Sequence, residues 1–149
     1  MKNNLHSRFG FVVHDVARLM RWNFDRQSQG LGLTRAQWSV LAYLKRSDGT
    51  RQTSLAQLMD IAPITLGRHI DRLEAKGWVV RKDDPDDRRA KRVFLTHKAA
   101  PMLASLTKLG QKVRREAMAG ISADEEAQVV DVLMRIRDNL SETGGSDND

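Results

Sequence analysis

Ala62-Pro63-Ile64-Thr65-Leu66-Gly67-Arg68-His69-Ile70-Asp71-Arg72-Leu73-Glu74-Ala75-Lys76-Gly77 has the period of an amphipathic helix. Leu66, Ile70 and Leu73 stand at i, i+4 and i+7 and share one face. Thr65, Arg68, His69, Arg72 and Lys76 fall on another, and every one of them can donate a hydrogen bond. Pro63 suits the first helical position, and Gly77 suits the left-handed residue just past the end. Trp78-Val79-Val80-Arg81-Lys82 then reads as a short strand, and Arg92-Val93-Phe94-Leu95-Thr96 as its return. Between them Asp83-Asp84-Pro85-Asp86-Asp87-Arg88-Arg89-Ala90-Lys91 is nearly all charge with a proline, which excludes a buried strand. A donor-rich helix followed by a basic-tipped hairpin is the build of a winged helix-turn-helix, with a helix for the major groove of DNA and a wing beside it.

The same residues carry a more specific signal. Leu55-Ala56, Leu73-Glu74-Ala75-Lys76-Gly77, Arg81 and Asp87-Arg88-Arg89-Ala90-Lys91-Arg92-Val93-Phe94-Leu95-Thr96 resemble the signature of MarR-family transcriptional regulators. The wing onward, Asp87 to Ala100 and then Gly120-Ile121-Ser122-Ala123-Asp124-Glu125-Glu126, is most similar to the SlyA-like branch. The resemblance runs from about Leu5 to about Leu140 and keeps the order of elements. It implies a homodimer on a pseudo-palindromic operator. The expected fold is mainly α with a small β wing: about six helices and a two-stranded hairpin. A single MarR-type domain over 1–149 is expected. It would comprise a winged helix-turn-helix at 34–96, a helical dimerisation region at 5–29 and 97–140, and a flexible tail at 141–149.

Composition sets bounds. The chain has 149 residues, enough for its own core, and 40% of them are hydrophobic, which argues against general disorder. The net charge is +6, distributed as +5 over residues 1–50, +4 over 51–100 and −3 over 101–149. Positive charge thus gathers in and ahead of the proposed DNA-binding segment, as a phosphate-backbone partner requires, although a solvated surface accounts equally well for charge alone. No stretch approaches the roughly 20 apolar residues of a membrane span, and Met1-Lys2-Asn3-Asn4 lacks the apolar run of a signal peptide, so a cytoplasmic protein without membrane partners is expected. The absence of cysteine excludes disulfides and thiol redox sensing. His6, His14, His69 and His97 are scattered, with no i, i+4 pair, so neither metal nor cofactor is expected. There is no phosphate-binding loop and no nucleophile elbow, and Gly30-Leu31-Gly32 follows a helix rather than a strand, so the chain does not read as an enzyme.

Around the central stretch, residues Leu5 to about Gln29 read as a long helix. Phe9, Val12, Val13, Val16, Leu19, Met20 and Phe24 form an apolar stripe on it, with Phe11, His14, Arg18, Arg21, Trp22 and Asp25 outside. Such a helix packs twice, once on its own domain and once on something else. Thr34-Arg35-Ala36-Gln37, Ser54-Leu55-Ala56-Gln57 and Ser122-Ala123-Asp124-Glu125 match capping boxes, and Thr96 is positioned to cap a helix over about His97 to Met118. Pro101 should kink that helix or mark its true start. Ala62 offers no side-chain acceptor at a helix start, which leaves an amide for a DNA phosphate or for water.

Site residues follow from these placements. Arg68 and Arg72, one turn apart, suit guanine edges, unless they pair with Asp71 or Glu74 on a solvated helix. Pro63, Ile64, Thr65 and His69 would contact methyl groups, base edges or phosphates. The resemblance aims Arg89 at the minor groove with Asp87 holding it. Arg88, Lys91 and Arg92 become phosphate contacts. It also implies a small aromatic carboxylate as effector, with Arg18, Arg21 and Trp38 at matching positions; core packing for Trp38 and surface ion pairs for the arginines are the plain alternatives. Ala42 departs from the polar ring residue that relatives carry there. Two rival functions use the same fold: a module that binds an acidic protein, and an architectural DNA-binding protein without sequence preference.

Overall fold

In the computed structural model, which describes residues 3–143, six α-helices and one antiparallel pair of strands follow in the expected order. They are α1 (Asn3–Ser28), α2 (Arg35–Arg46), α3 (Gln52–Leu58), α4 (Pro63–Ala75), β1 (Val79–Asp83), β2 (Lys91–Leu95), α5 (Ala100–Ala117) and α6 (Ala123–Thr143). Short 3₁₀ turns at Gln29–Leu31 and His97–Ala99 precede α2 and α5. The chain divides into two compact units, one ending at Val113 and the other beginning at Arg114.

The core of the first unit is built where the sequence period placed it. Leu66, Ile70 and Leu73 of α4 are fully buried and meet Leu41 and Leu44 of α2, Leu55 of α3, Val79 of β1, Val93 of β2 and Leu106 of α5. Burying each such side chain contributes about 1.5–3 kcal/mol before conformational entropy is set against it. Helix α4 begins at Pro63 with no side-chain cap from Ala62, and ends where Gly77 takes φ +76°, letting the Trp78 amide donate to the Leu73 carbonyl at 3.0 Å. The turn from α3 into α4 is closed by Asp60 at φ +52°, a left-handed geometry that aspartate tolerates better than most residues.

The wing pairs Val79 with Leu95 through Asp83 with Lys91. A third segment joins it. The Gly49 amide donates to the Val93 carbonyl and the Val93 amide to the Thr50 carbonyl, both at 3.0 Å, and Arg51 bridges Arg92. This pairing explains one departure from the sequence reading. Helix α3 starts at Gln52, straight off the bridged segment, and has no side-chain cap, so the Ser54 capping box does not form. The Thr34 and Ser122 boxes do form. Thr96 caps nothing either: its hydroxyl donates to the Gly77 carbonyl and ties the end of β2 to the end of α4, while Pro101 sits in the first turn of α5 and marks the start of that helix. Ser141, at the start of the expected tail, still belongs to α6; from residue 144 that expectation lies outside the described residues.

Gly49 is fixed twice over. Its φ is +78°, and a Cβ built on it would stand 2.7 Å from the Phe94 ring. Gly49→Ala should destabilise the fold by about 2–4 kcal/mol, from left-handed strain plus overpacking of the wing root, read as a lower urea midpoint at unchanged slope.

Candidate nucleic-acid interface and adjoining cavity

Helix α4 has three separate faces. The first is the buried stripe. The second carries Pro63, Ile64, Thr65, Arg68 and Arg72, all exposed, with Ile64 at 75%. The third is held by Arg81 of β1. Its guanidinium donates to Gln52 Oε1 at 2.9 Å and to the Gly67 carbonyl at 3.0 Å, and pairs with Asp71 at 2.7 Å and Glu74 at 3.3 Å. Arg81 therefore occupies the two carboxylates that the alternative reading assigned to Arg68 and Arg72, and those two arginines have no ion pair among the described residues. The motif residue Arg81 has no role legible from sequence alone; the one signal for it is an arginine on the strand that follows a helix carrying two acids at helical spacing, Asp71 and Glu74.

At the wing, Arg88 and Arg89 are exposed at the tip, and a small recess of about 170 Å³ lies between Arg89 and Lys91 on one side and Gln52, Thr53 and Pro63 on the other. Asp87 supports the wing, but through the main chain: its carboxylate accepts the Arg89 amide at 2.9 Å, and its carbonyl accepts the Ala90 amide at 3.0 Å. It shapes the turn and does not grip the Arg89 guanidinium, which leaves that group unpaired among the described residues. Lys91 reaches back across the hairpin to Asp83. Arg92 departs from its expected role as a phosphate contact. Its Nε lies 2.9 Å from the buried Asp84 carboxylate, and its Nη1 donates to the Gly49 carbonyl at 3.0 Å, so it is spent on the wing root.

Asp84 is the anchor there. Arg51 Nε stands 2.7 Å from the same oxygen, and the Asp86 amide donates to the other at 2.8 Å. The Asp86 amide first, then the Arg51 and Arg92 donors, hold this carboxyl below its ordinary 3.8, at about 2, against the opposing effect of burial. The Arg51 guanidinium is in turn pushed above its ordinary value, chiefly by its hydrogen bond to Asp84.

His69 also departs from expectation. One step past Arg68 is a rotation of about 100°, which carries it off the exposed face; at i+3 from Leu66 and just before Ile70 it extends the buried stripe instead. It lines a cavity of about 490 Å³ between α1, α2 and the middle of α4, together with Arg21, Trp38, Ala42, Tyr43 and Met59. Of the residues assigned to an effector, Arg21 and Trp38 are in this wall, whereas Arg18 lies outside it, 3.7 Å from Asp15 on the surface of α1. Trp38 is both core and wall: it is 9% exposed, packs against Phe24 with ring centroids 4.3 Å apart and the planes tilted by 44°, and donates its indole N–H to Asp25 at 2.7 Å. Asp25 also pairs with Arg35, another wall residue, so Arg21 is the cation of the cavity left without a side-chain partner among the described residues.

A fully exposed, partly basic helix face beside a basic hairpin tip defines a winged helix-turn-helix protein of the nucleic-acid-reading kind. The comparisons narrow this. The MarR family model matches residues 33–91. Over nearly its whole length the chain is similar to the transcriptional regulator PA3341, with 38% identity, 90% of this chain and 98% of that chain covered, and a TM-score of 0.79. It is also similar to the transcriptional regulator SlyA, at 29% identity, 88% and 92% coverage and a TM-score of 0.72. The apo form of MarR from E. coli gives 28% identity, 86% and 95% coverage and a TM-score of 0.73. The chain belongs to the MarR family of transcriptional regulators.

Proposed function

We propose that the protein is a sequence-specific, homodimeric DNA-binding regulator whose grip on a pseudo-palindromic operator is modulated by a small aromatic carboxylate. The observation that carries the DNA reading is the set of guanidinium groups at Arg68, Arg72, Arg88 and Arg89, unpaired among the described residues, on two elements flanking one recess. In this reading Arg68 and Arg72 take base edges in the major groove, Pro63, Ile64 and Thr65 lie at the helix tip, Arg89 enters the minor groove, and Arg88 and Lys91 meet phosphates. The dimer is supported by two apolar faces, each left open on its own unit. One is the stripe on α1, where Phe9 and Val16 are about half exposed; the other is on α6, where Val129 and Leu133 are similarly open. Two recognition helices would read half-sites centred ~10 bp apart.

The effector reading rests on the cavity: a guanidinium at Arg21 that is unpaired among the described residues, an indole wall at Trp38, and extra room at Ala42. A SlyA-like character rests on the wing and the residues after it, since identity to SlyA and to E. coli MarR is nearly equal, at 29% and 28%.

Selection from a random duplex pool by the purified protein tests the sequence-specific and dimeric parts of the reading. A palindromic winner bound at least ~1000-fold tighter than its scramble is the expected result. Binding without an enriched sequence would replace it with an architectural role, and no binding at all with a protein partner for the basic face. On the winning duplex, Arg89→Ala should weaken binding about tenfold, with dimer and helix content unchanged. Undiminished binding in an electrophoretic shift titration would remove Arg89 from the interface.

A further inference from the structure

From Asp83 to Arg92 the wing holds four acids, Asp83, Asp84, Asp86 and Asp87, and four bases, Arg88, Arg89, Lys91 and Arg92. A hairpin without net charge exerts little long-range pull on a phosphate backbone, so its grip depends on where each base is held. Lys91 is taken up by Asp83, and Arg92 by Asp84. The cation supplied from outside the hairpin is Arg51, whose Nε stands 2.7 Å from the Asp84 carboxylate, with Asp87 and Asp86 adding to the attraction. Arg51 is the residue at which the segment paired with β2 turns into α3. Helix α3 shares its core with α4, so Arg51 belongs to the helix-turn-helix body, whereas Asp84 belongs to the wing tip. The tip is closed on itself. The Asp84 amide donates to the Ala90 carbonyl at 3.0 Å, the Asp84 carboxylate accepts the Asp86 amide at 2.8 Å, and the Asp87 carboxylate accepts the Arg89 amide at 2.9 Å. Residues 84–90 therefore move as one piece that carries Arg88 and Arg89. Among the described residues, the one side-chain hydrogen bond from that piece to the body is Arg51 on Asp84. The Asp84 side chain has no exposure, so this is not a solvent-screened surface pair.

We propose that Arg51 is a positioning residue for DNA reading: by holding Asp84 against the start of α3, it fixes the angle at which the wing tip presents Arg89 to the minor groove. This rests on the wing reading above and adds to it the residue that aims the wing. The minor groove is only about 6 Å wide, so a guanidinium enters it from a narrow range of directions. A tip free to swing would have to be ordered at the moment of binding, and affinity would fall by that cost. With Arg51 in place, the tip and the recognition helix share one frame, and Arg89 meets its groove while Arg68 and Arg72 meet theirs. A phosphate contact by Arg51 itself fits less well, because its Nε is committed to Asp84 and the Asp86 and Asp87 carboxylates already act on the same guanidinium.

The test is a double-mutant cycle on the selected duplex, read by fluorescence anisotropy at one fixed salt concentration, using the full-length wild type, Arg51→Ala, Arg89→Ala and the two combined. Arg51→Ala should weaken binding about fivefold, and by less than about twofold in the Arg89→Ala background, because a clamp can lose no more than the contact it aims. Repeating the duplex selection with Arg51→Ala should flatten the base preference at the positions under the wing and leave the preference under α4 as it was, a pattern that general destabilisation does not produce. Arg51→Lys, which keeps the charge without the planar fork, should recover part of the affinity. Arg51→Gln takes the place of Arg51→Ala in the cycle if the alanine variant does not fold. Equal losses with and without the Arg89 guanidinium overturn the aiming role and leave the wing reading standing, and so does an Arg51→Ala that binds like the wild type. An Arg89→Ala that binds like the wild type, or a wild type that binds no duplex, removes the wing reading and the clamp with it.

Discussion

Val16→Glu is expected to sediment as a monomer and to lose at least about a hundredfold in operator affinity, because a monomer forfeits the effective concentration that seats the second half-site once the first is bound. Val16 lies mid-stripe on α1 and is 50% exposed, so the protomer has no packing reason to reject a carboxylate there. A self-complementary interface does: two-fold symmetry places the same residue on both sides, and a desolvated charge costs several kcal/mol at each copy. Circular dichroism should therefore show unchanged helix content while sedimentation shows half the mass. A variant that remains dimeric would move the interface away from this stripe.

The second large effect is at Asp84. Asp84→Ala should cut operator affinity by about tenfold or more through loss of the ordered wing, and should lower the melting temperature by several degrees. The substitution leaves the Arg51 and Arg92 guanidiniums facing each other with no anion between them and frees the Asp86 amide from its acceptor. Wild-type protein should show the same dependence under acid. The folded-state value, about 2, lies below the ordinary 3.8, so this carboxylate contributes stability that is complete above about pH 4 and is lost as the pH falls towards 2. Melting curves collected down the acid range would show the slope, and Asp84→Ala should flatten it. An unchanged slope would mean that other carboxylates dominate acid unfolding.

How much was legible in the sequence follows from the range of each signal. Periodic and local signals read well: the stripe of α4, Pro63 and Gly77 at its ends, the hairpin, and the capping boxes at Thr34 and Ser122. The box at Ser54 matched the same local pattern and failed because a long-range event, the pairing of residues 49–51 with β2, sets the start of α3. Among charged residues the sequence shows which are present but not which meet. Arg88, Arg89 and Arg92 look alike in a row, yet only Arg92 lies within reach of Asp84 once the hairpin register is set. His69 carries two signals at once: its donor chemistry matches its neighbours on the exposed face, while its position at i+3 from Leu66 matches the core, and it lies in the cavity wall.

The separation of faces on α4 has a consequence for how such a regulator can change its target. The struts from Arg81 fall on Gly67, Asp71 and Glu74, and the core takes Leu66, Ile70 and Leu73. Neither set includes Ile64, Thr65, Arg68 or Arg72. In the proposed reading of the operator, a lineage can therefore rewrite those four positions one at a time, drifting to a new regulon while the scaffold beneath keeps its stability, and an engineer seeking orthogonal promoters can randomise the same four with little of the library wasted on unfolded clones.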